Sequence, residues 1–338
     1  MIKLTWAWCG VLAVSAMAAA QEPQPVTVEN FIRAESDTYL GNFVKESGGL
    51  GKLAHRREVA SVDQQTVIRL NRDTLYSSAV FDLDAGAVTV TLPDAGGRFM
   101  SMMVVNQDHY VPAVVYAAGP HELTRETVGT RYAAVAIRTL VDPNDPGDVE
   151  AVHALQDAIS VRQAGPGTFE VPPWDPVSQK KVRDALLVLA STTSGFRGAF
   201  GKRGEVDPVM HLLGTAAGWG GNPDRDAVYQ GEVPARNDGA TVHRLTVKDV
   251  PVDAFWSVSV YNEQGYYEKN ALGAYTVNSI TGRMAADGST TIQFGGCDGK
   301  VPDCIPIVKG WNYTVRLYRP RAEILDGSWK FPVARPVT

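Results

Sequence analysis

The sequence predicts a mostly β protein with attached helices: two β-sandwich or jelly-roll-like domains joined by a helical connector. Three observations lead there. Short apolar runs separated by turn residues fill the stretch from Val59 to Leu140, and a second set runs from Thr241 to Tyr318. Between them, three Asp-Pro pairs mark helix starts. A length of 338 residues suits two domains, and the scattered 32 Gly and 20 Pro suit many short strands joined by turns. The expected division is 1–20 leader, 21–144 first domain with an N-terminal helix, 145–222 helical connector, and 223–338 second domain.

The elements follow in chain order. Lys3 and the apolar run Leu4–Met17, closed by Ala18-Ala19-Ala20, read as a secretory signal peptide. Thr27 is the expected cap of a helix that carries Phe31, Ile32, Tyr39, Leu40, Phe43 and Val44 at helical spacing and stops at Gly48-Gly49. Strands are expected at Thr66–Leu70, Ala79–Leu83, Ala87–Leu92, Arg98–Val105, Val111–Tyr116 and Tyr132–Ile137, with turns at Asp84–Gly86 and Pro93–Gly97. Asp145-Pro146, Asp175-Pro176 and Asp207-Pro208 each place a capping Asp before a Pro at the first helical position. The three helices are expected to end by Gly165, Gly195 and Gly214. Thr241–Val247, Ala254–Tyr261, Thr290–Phe294 and Trp311–Tyr318 supply the second set of strands.

Charge and cysteine usage narrow the function classes. The formal net charge is −5 and no basic stripe occurs, so nucleic acid is not an expected partner. No apolar segment after the leader is long enough to span a bilayer. Export implies an oxidising compartment, periplasmic or extracellular, where Cys297 and Cys304 are expected to form a disulfide. No further Cys or His stands beside them to complete a zinc site, and no metal site is expected. The sequence names no cofactor and no oligomeric state.

Two groups of residues resemble known families. Asn71-Arg72-Asp73-Thr74-Leu75-Tyr76, Thr89–Pro93, Phe99-Met100-Ser101 and Asn106-Gln107-Asp108-His109-Tyr110 resemble the bacterial domain of unknown function 1254. Gly218–Pro223, Ala254–Tyr261, Asn270, Asp287-Gly288-Ser289, Leu317–Pro320 and Ile324–Trp329 resemble its usual companion, domain of unknown function 1214. The resemblance implies a two-domain, mostly β architecture in an exported bacterial protein, and it carries no mechanism. Asp303-Cys304-Ile305-Pro306 departs from the companion family's pattern.

Four stretches concentrate residues able to do chemistry. In the first, Asn71, Arg72, Asp73 and Tyr76 sit between apolar runs. Arg72 is suited to hold a carboxylate or phosphate, with Asp73 orienting it or acting as base and Tyr76 contacting the ligand. The structural alternative is an internal Arg–Asp pair closing a strand corner. In the second, Asp108, His109 and Tyr110 follow a strand; His109 is the second candidate base, and a polar turn is the alternative. In the third, glycines surround Trp219 and lead to Asn222, as a lid or stacking platform would need, or as a plug between domains. The fourth holds Trp256, a core residue by its strand position, Tyr261, Tyr275, Asn278 and Asn270, aromatics and amides that suit a carbohydrate or flat organic ligand, with Tyr266 and Tyr267 in a turn as surface contacts. No G-x-S-x-G, H-E-x-x-H or C-x-x-C pattern occurs.

The expected function is binding of a polar or glycan-like small molecule in the crevice between the domains. One wall would carry Asn71, Arg72, Asp73 and Tyr76, the other Trp219, Asn222 and Tyr266. A hydrolase or lyase using Asp73 or His109, and an envelope assembly protein without a ligand, are the alternatives.

Overall fold

The computed structural model describes residues 22–65 and 67–337. The expected signal peptide, residues 1–20, and the first residue of the strand expected at Thr66–Leu70 lie outside the described residues. In chain order the first half contains α1 (Phe31–Ser47), β1 (Ala54–Arg56), β2 (Thr74–Asp82), β3 (Val88–Leu92), β4 (Met100–Asn106), β5 (Ala113–Val115), β6 (Gly119–Leu123), α2 (Arg125–Val128) and β7 (Tyr132–Leu140). The middle contains α3 (Pro146–Ala158), β8 (Ser160–Gln163), α4 (Pro176–Ala190) and α5 (Pro208–Gly218). The last part contains β9 (Ala227–Glu232), β10 (His243–Val247), β11 (Trp256–Tyr261), β12 (Thr276–Asn278), β13 (Thr290–Phe294), β14 (Cys304–Ile305), β15 (Asn312–Tyr318), α6 (Ala322–Leu325) and β16 (Arg335–Pro336).

Two β-sandwiches result. In the first, the antiparallel sheet β1-β2-β7-β4-β5 faces the smaller antiparallel sheet β6-β3-β8. Alternate residues point between them. Phe81, Met102, Val135 and Ile137 meet Val88, Val90, Leu92 and Leu123 in one buried cluster. The opposite face of the larger sheet is apolar over half its length, where Val80, Met103 and Ala134 pack under Leu40 of α1. In the second sandwich, β14-β13-β10-β16 faces β12-β11-β15-β9. Leu245, Val258, Ile292, Phe294, Trp311 and Val315 fill the space between.

The central stretch is not purely helical. Residues 160–163 form β8, the edge strand beside β3, because Val161 alternates inward onto the first core. Helices α4 and α5 pack with α1 through Leu186, Leu213, Phe31 and Ala34. The N-cap of α1 is Asn30, not Thr27, and Gly48 ends it in the left-handed region at φ +73°, where Gly carries no steric cost. Residues 67–69 form a bend instead of a strand, and Leu70 is irregular. Arg69 there has φ +54°, and its guanidinium donates to Asn312 Oδ1 (2.8 Å) and Thr314 Oγ1 (3.0 Å) of the second sandwich. Cross-domain bonds thus hold the segment that local pattern would have made extended. Among the described residues no helix is long and apolar enough to cross a membrane.

Candidate functional site

The two sandwiches meet along outer sheet faces, and those faces are polar where they meet. Strand register places Tyr76, Arg138 and Ser101 side by side across β2, β7 and β4. On the second domain, Asn278, Ser257, Arg316 and Tyr229 line up across β12, β11, β15 and β9. An apolar flank closes one end of the seam: Phe99 and Leu140 of the first domain pack on Phe255 and Tyr318 of the second.

Each face therefore contributes one buried arginine, and their surroundings differ. Arg316 is 3% exposed and well supplied with acceptors: Ser259 Oγ and the Arg69 carbonyl at 2.8 Å, Tyr261 Oη at 2.7 Å and the Leu70 carbonyl at 3.2 Å. Arg138 is 7% exposed; among the described residues its hydrogen bonds to Asn222 Oδ1 (3.4 Å) and the Gly220 carbonyl (3.3 Å) are long, and the Tyr76 hydroxyl is its other neutral neighbour. Its guanidinium lies over the Tyr76 ring, 5.4 Å from the centroid. Among the described residues no carboxylate reaches it at ion-pair distance. A guanidinium has five N–H donors, and a buried cation without a counter-charge carries a desolvation penalty of several kcal/mol.

Hydroxyls and amides surround Arg138. Asn71 Nδ2 donates to Tyr76 Oη (3.1 Å) and Tyr318 Oη (3.3 Å), and Asn222 Nδ2 donates to Tyr229 Oη (2.7 Å). Tyr76 is half-buried and Tyr229 is 42% exposed, so the cluster opens to solvent on the Tyr229 side. Burial alone would raise the pKa of Tyr76, but the Arg138 charge and hydrogen bonds from Asn71 and Thr74 outweigh it and leave the phenol below its ordinary value. Tyr318, sealed against Phe255 and Phe99, is pushed well above it by burial.

The residues singled out by sequence are distributed over three places. Asn71, Tyr76 and Asn222 surround Arg138 in the seam. Arg72 and Asp73 lie in the seam but do not pair with each other, since adjacent residues on an extended chain point apart. Arg72 bonds to the Ala60 carbonyl and lies over Tyr275 (5.0 Å) and Tyr267 (5.9 Å). Asp73 is fully buried; its Oδ1 accepts from Thr276 Oγ1 (3.2 Å) and Asn278 Nδ2 (3.1 Å), tying the residue before β2 to β12, and among the described residues its Oδ2 has no hydrogen-bond partner.

His109, Tyr110 and Trp219 belong to the layer between α1, α5 and the first sheet. His109 is fully buried: the Gly220 N–H donates to Nε2 (2.8 Å), so Nδ1 carries the proton and donates to Thr215 Oγ1 (2.7 Å). Burial and neighbouring His211 hold its pKa well below the usual histidine value, and both nitrogens are committed. Trp219 stacks on Tyr39 (4.6 Å) and donates to Ser36, and Tyr110 stacks on His211 (4.7 Å). Tyr266 and Asn270 shape turns of the second domain, whereas Tyr267, expected at the surface, is buried in a cluster with Tyr261 and Tyr275. The Tyr266 N–H donates to Asn262 Oδ1, and Asn270 Nδ2 donates to the Ala274 carbonyl. Cys297 and Cys304 are joined in a disulfide.

Arg138, Tyr229 and Tyr318 complete this polar cluster and were not singled out from the sequence. Arg138 had a signal: a single charge within the apolar run Tyr132–Leu140, whose residues are nearly all buried on both faces.

The fold and seam define a class of protein: two sandwiches joined through a buried polar interface. Residues 50–133 match the family described as a protein of unknown function (DUF1254), and residues 229–322 the one described as a protein of unknown function (DUF1214). The chain carries these two domains in that order. It is similar to the VPA0106 protein from Vibrio parahaemolyticus, with a TM-score of 0.72 at 17% identity over 92% of this chain and 98% of that one. It is also similar to an uncharacterized protein from Burkholderia cenocepacia, with a TM-score of 0.52 at 13% identity over 91% and 86% of the two chains. At such identities the likeness concerns the fold alone. No curated protein matches.

Proposed function

We propose that the protein binds a small anionic molecule, bearing a carboxylate or phosphate group, in the crevice between its two domains. The observation that carries this reading is Arg138: a buried guanidinium whose hydrogen bonds go to neutral acceptors, two of them long, with no carboxylate at ion-pair distance among the described residues. An arriving oxyanion supplies the missing charge and accepts the spare N–H groups in bidentate fashion. Tyr76 and Tyr229 offer ring faces and hydroxyls beside it, and Asn71 and Asn222 orient those hydroxyls. The disulfide supports export to an oxidising compartment, periplasmic or extracellular, where such a ligand would be met.

Thermal unfolding of the purified protein against acetate, citrate, benzoate and glycerol phosphate tests the reading. Binding to the native state stabilises it by about 2.7 kcal/mol at a hundred times Kd. At least one of these anions should raise the melting temperature saturably in the natural protein and leave Arg138→Gln unmoved. The variant separates site binding from the general stabilisation that excluded salts produce. Equal shifts in both proteins, or no shift in either, would contradict the proposal.

A further inference from the structure

The first domain carries a second concavity, away from the seam. An open cleft of about 470 Å³ lies where α1, the turn after β4, the start of β7 and residues 170–174 converge. Asp37 forms part of its floor and is 2% exposed. Gln107 Nε2 donates to Asp37 Oδ1 (2.8 Å) and Trp174 Nε1 to Oδ2 (3.0 Å), and among the described residues no cation reaches it at ion-pair distance. Burial raises its pKa against these two donors and the nearby Arg33 charge.

The guanidinium groups around the cleft are already paired with carboxylates. Arg33 pairs with Asp108, and Arg131 pairs with Glu170 at 3.1 Å and Asp82 at 2.9 Å. Of the lining groups, Arg33, Arg125 and Arg131 balance Asp37, Asp108 and Glu170. An anionic ligand would have to break a pair to find a guanidinium, and Asp37 already accepts from Gln107 and Trp174. What remains at the wall are the free N–H groups of Arg33 and Arg125 and the second lone pairs of Asp37, beside the half-buried Trp174 indole and the buried Tyr132. Only a group that both donates and accepts uses such a mixed wall fully, and a hydroxyl does. The volume falls within the ~300–1,000 Å³ of small-molecule sites. We propose that this cleft binds a neutral polyhydroxylated ligand of the sugar class, its vicinal hydroxyls bridging the carboxylates and guanidinium groups.

Calorimetric titration of the full chain with glucose, galactose, N-acetylglucosamine, maltose and cellobiose tests this, with glycine and citrate as charged comparisons. The expected result is saturable binding of at least one sugar, weakened ten-fold or more by Asp37→Asn and unchanged by Arg138→Gln, which disables only the seam crevice. Should Asp37→Asn fail to fold, Arg125→Ala and Glu170→Ala at the rim take its place, each expected to weaken binding several-fold. Three results would overturn the proposal: no sugar binding, sugar binding untouched by the cleft variants, or glycine or citrate displacing the sugar.

Discussion

Asp82 and Arg131 illustrate what a buried charge looks like when its partners are all supplied. Asp82 Oδ1 accepts from Arg131 Nε (3.0 Å) and the Asp84 N–H (3.1 Å), and Oδ2 from Arg131 Nη2 (2.9 Å) and the Thr168 N–H (3.1 Å). Burial alone would raise the carboxyl pKa; these four donors outweigh it and lower it below the ordinary 3.8. A depressed carboxyl pKa contributes stability above the unfolded value, and that contribution is lost as pH falls through the folded one. Asp82→Asn should therefore cost roughly 1–3 kcal/mol in urea unfolding at pH 7, a deficit that narrows below about pH 4. A deficit constant down to pH 2 would contradict this. Single residues of this kind were only partly legible. Asn71 and Tyr76 declared themselves by clustering with other polar groups, whereas Arg138 and Tyr229 acquire their roles from strand register and from the other domain. The partnering of Asp73 by Asn278 and Thr276 crosses some two hundred positions and has no local trace.

Among the elements, the helix starts were the most legible, because their cause is local. Asp145, Asp175 and Asp207 each accept N–H bonds from the first turn of their helix, and each precedes a Pro whose missing N–H costs nothing there. Asp207 matters most for the crevice, since α5 leads directly to Gly220 and Asn222. Asp207→Ala should lower stability by about 1 kcal/mol, measured by chemical denaturation, while Asp207→Asn retains most of it. Equal losses in the two would point to charge instead of capping. Helix ends were less legible. Gly214 reads as a stop, yet α5 continues to Gly218, because Gly214 serves close packing: a Cβ there would stand 2.8 Å from the Ala199 Cβ. The four residues of β8 show too little alternation to reveal an edge strand whose pairing partner lies seventy positions earlier.

For the whole molecule, the sandwich class and the order of the two domains follow from period-two patterning and turn chemistry, both local signals. The chemistry of the seam follows from the meeting of two sheet faces, each polar for reasons visible only once they are opposed. The central claim is that Arg138 and Arg316, alike in burial, do different work: Arg316 locks the domains together, and Arg138 waits for an anion. Removing a buried charge that lacks good partners relieves its desolvation penalty, whereas removing a well-partnered one leaves each buried acceptor unpaired at a cost of roughly 1–3 kcal/mol. The direct measurement is the unfolding free energy of Arg138→Met and Arg316→Met without added ligand. The account predicts that Arg138→Met matches or exceeds the natural protein while Arg316→Met loses several kcal/mol; a loss of that size at Arg138 would show that its guanidinium is structural and contradict the account.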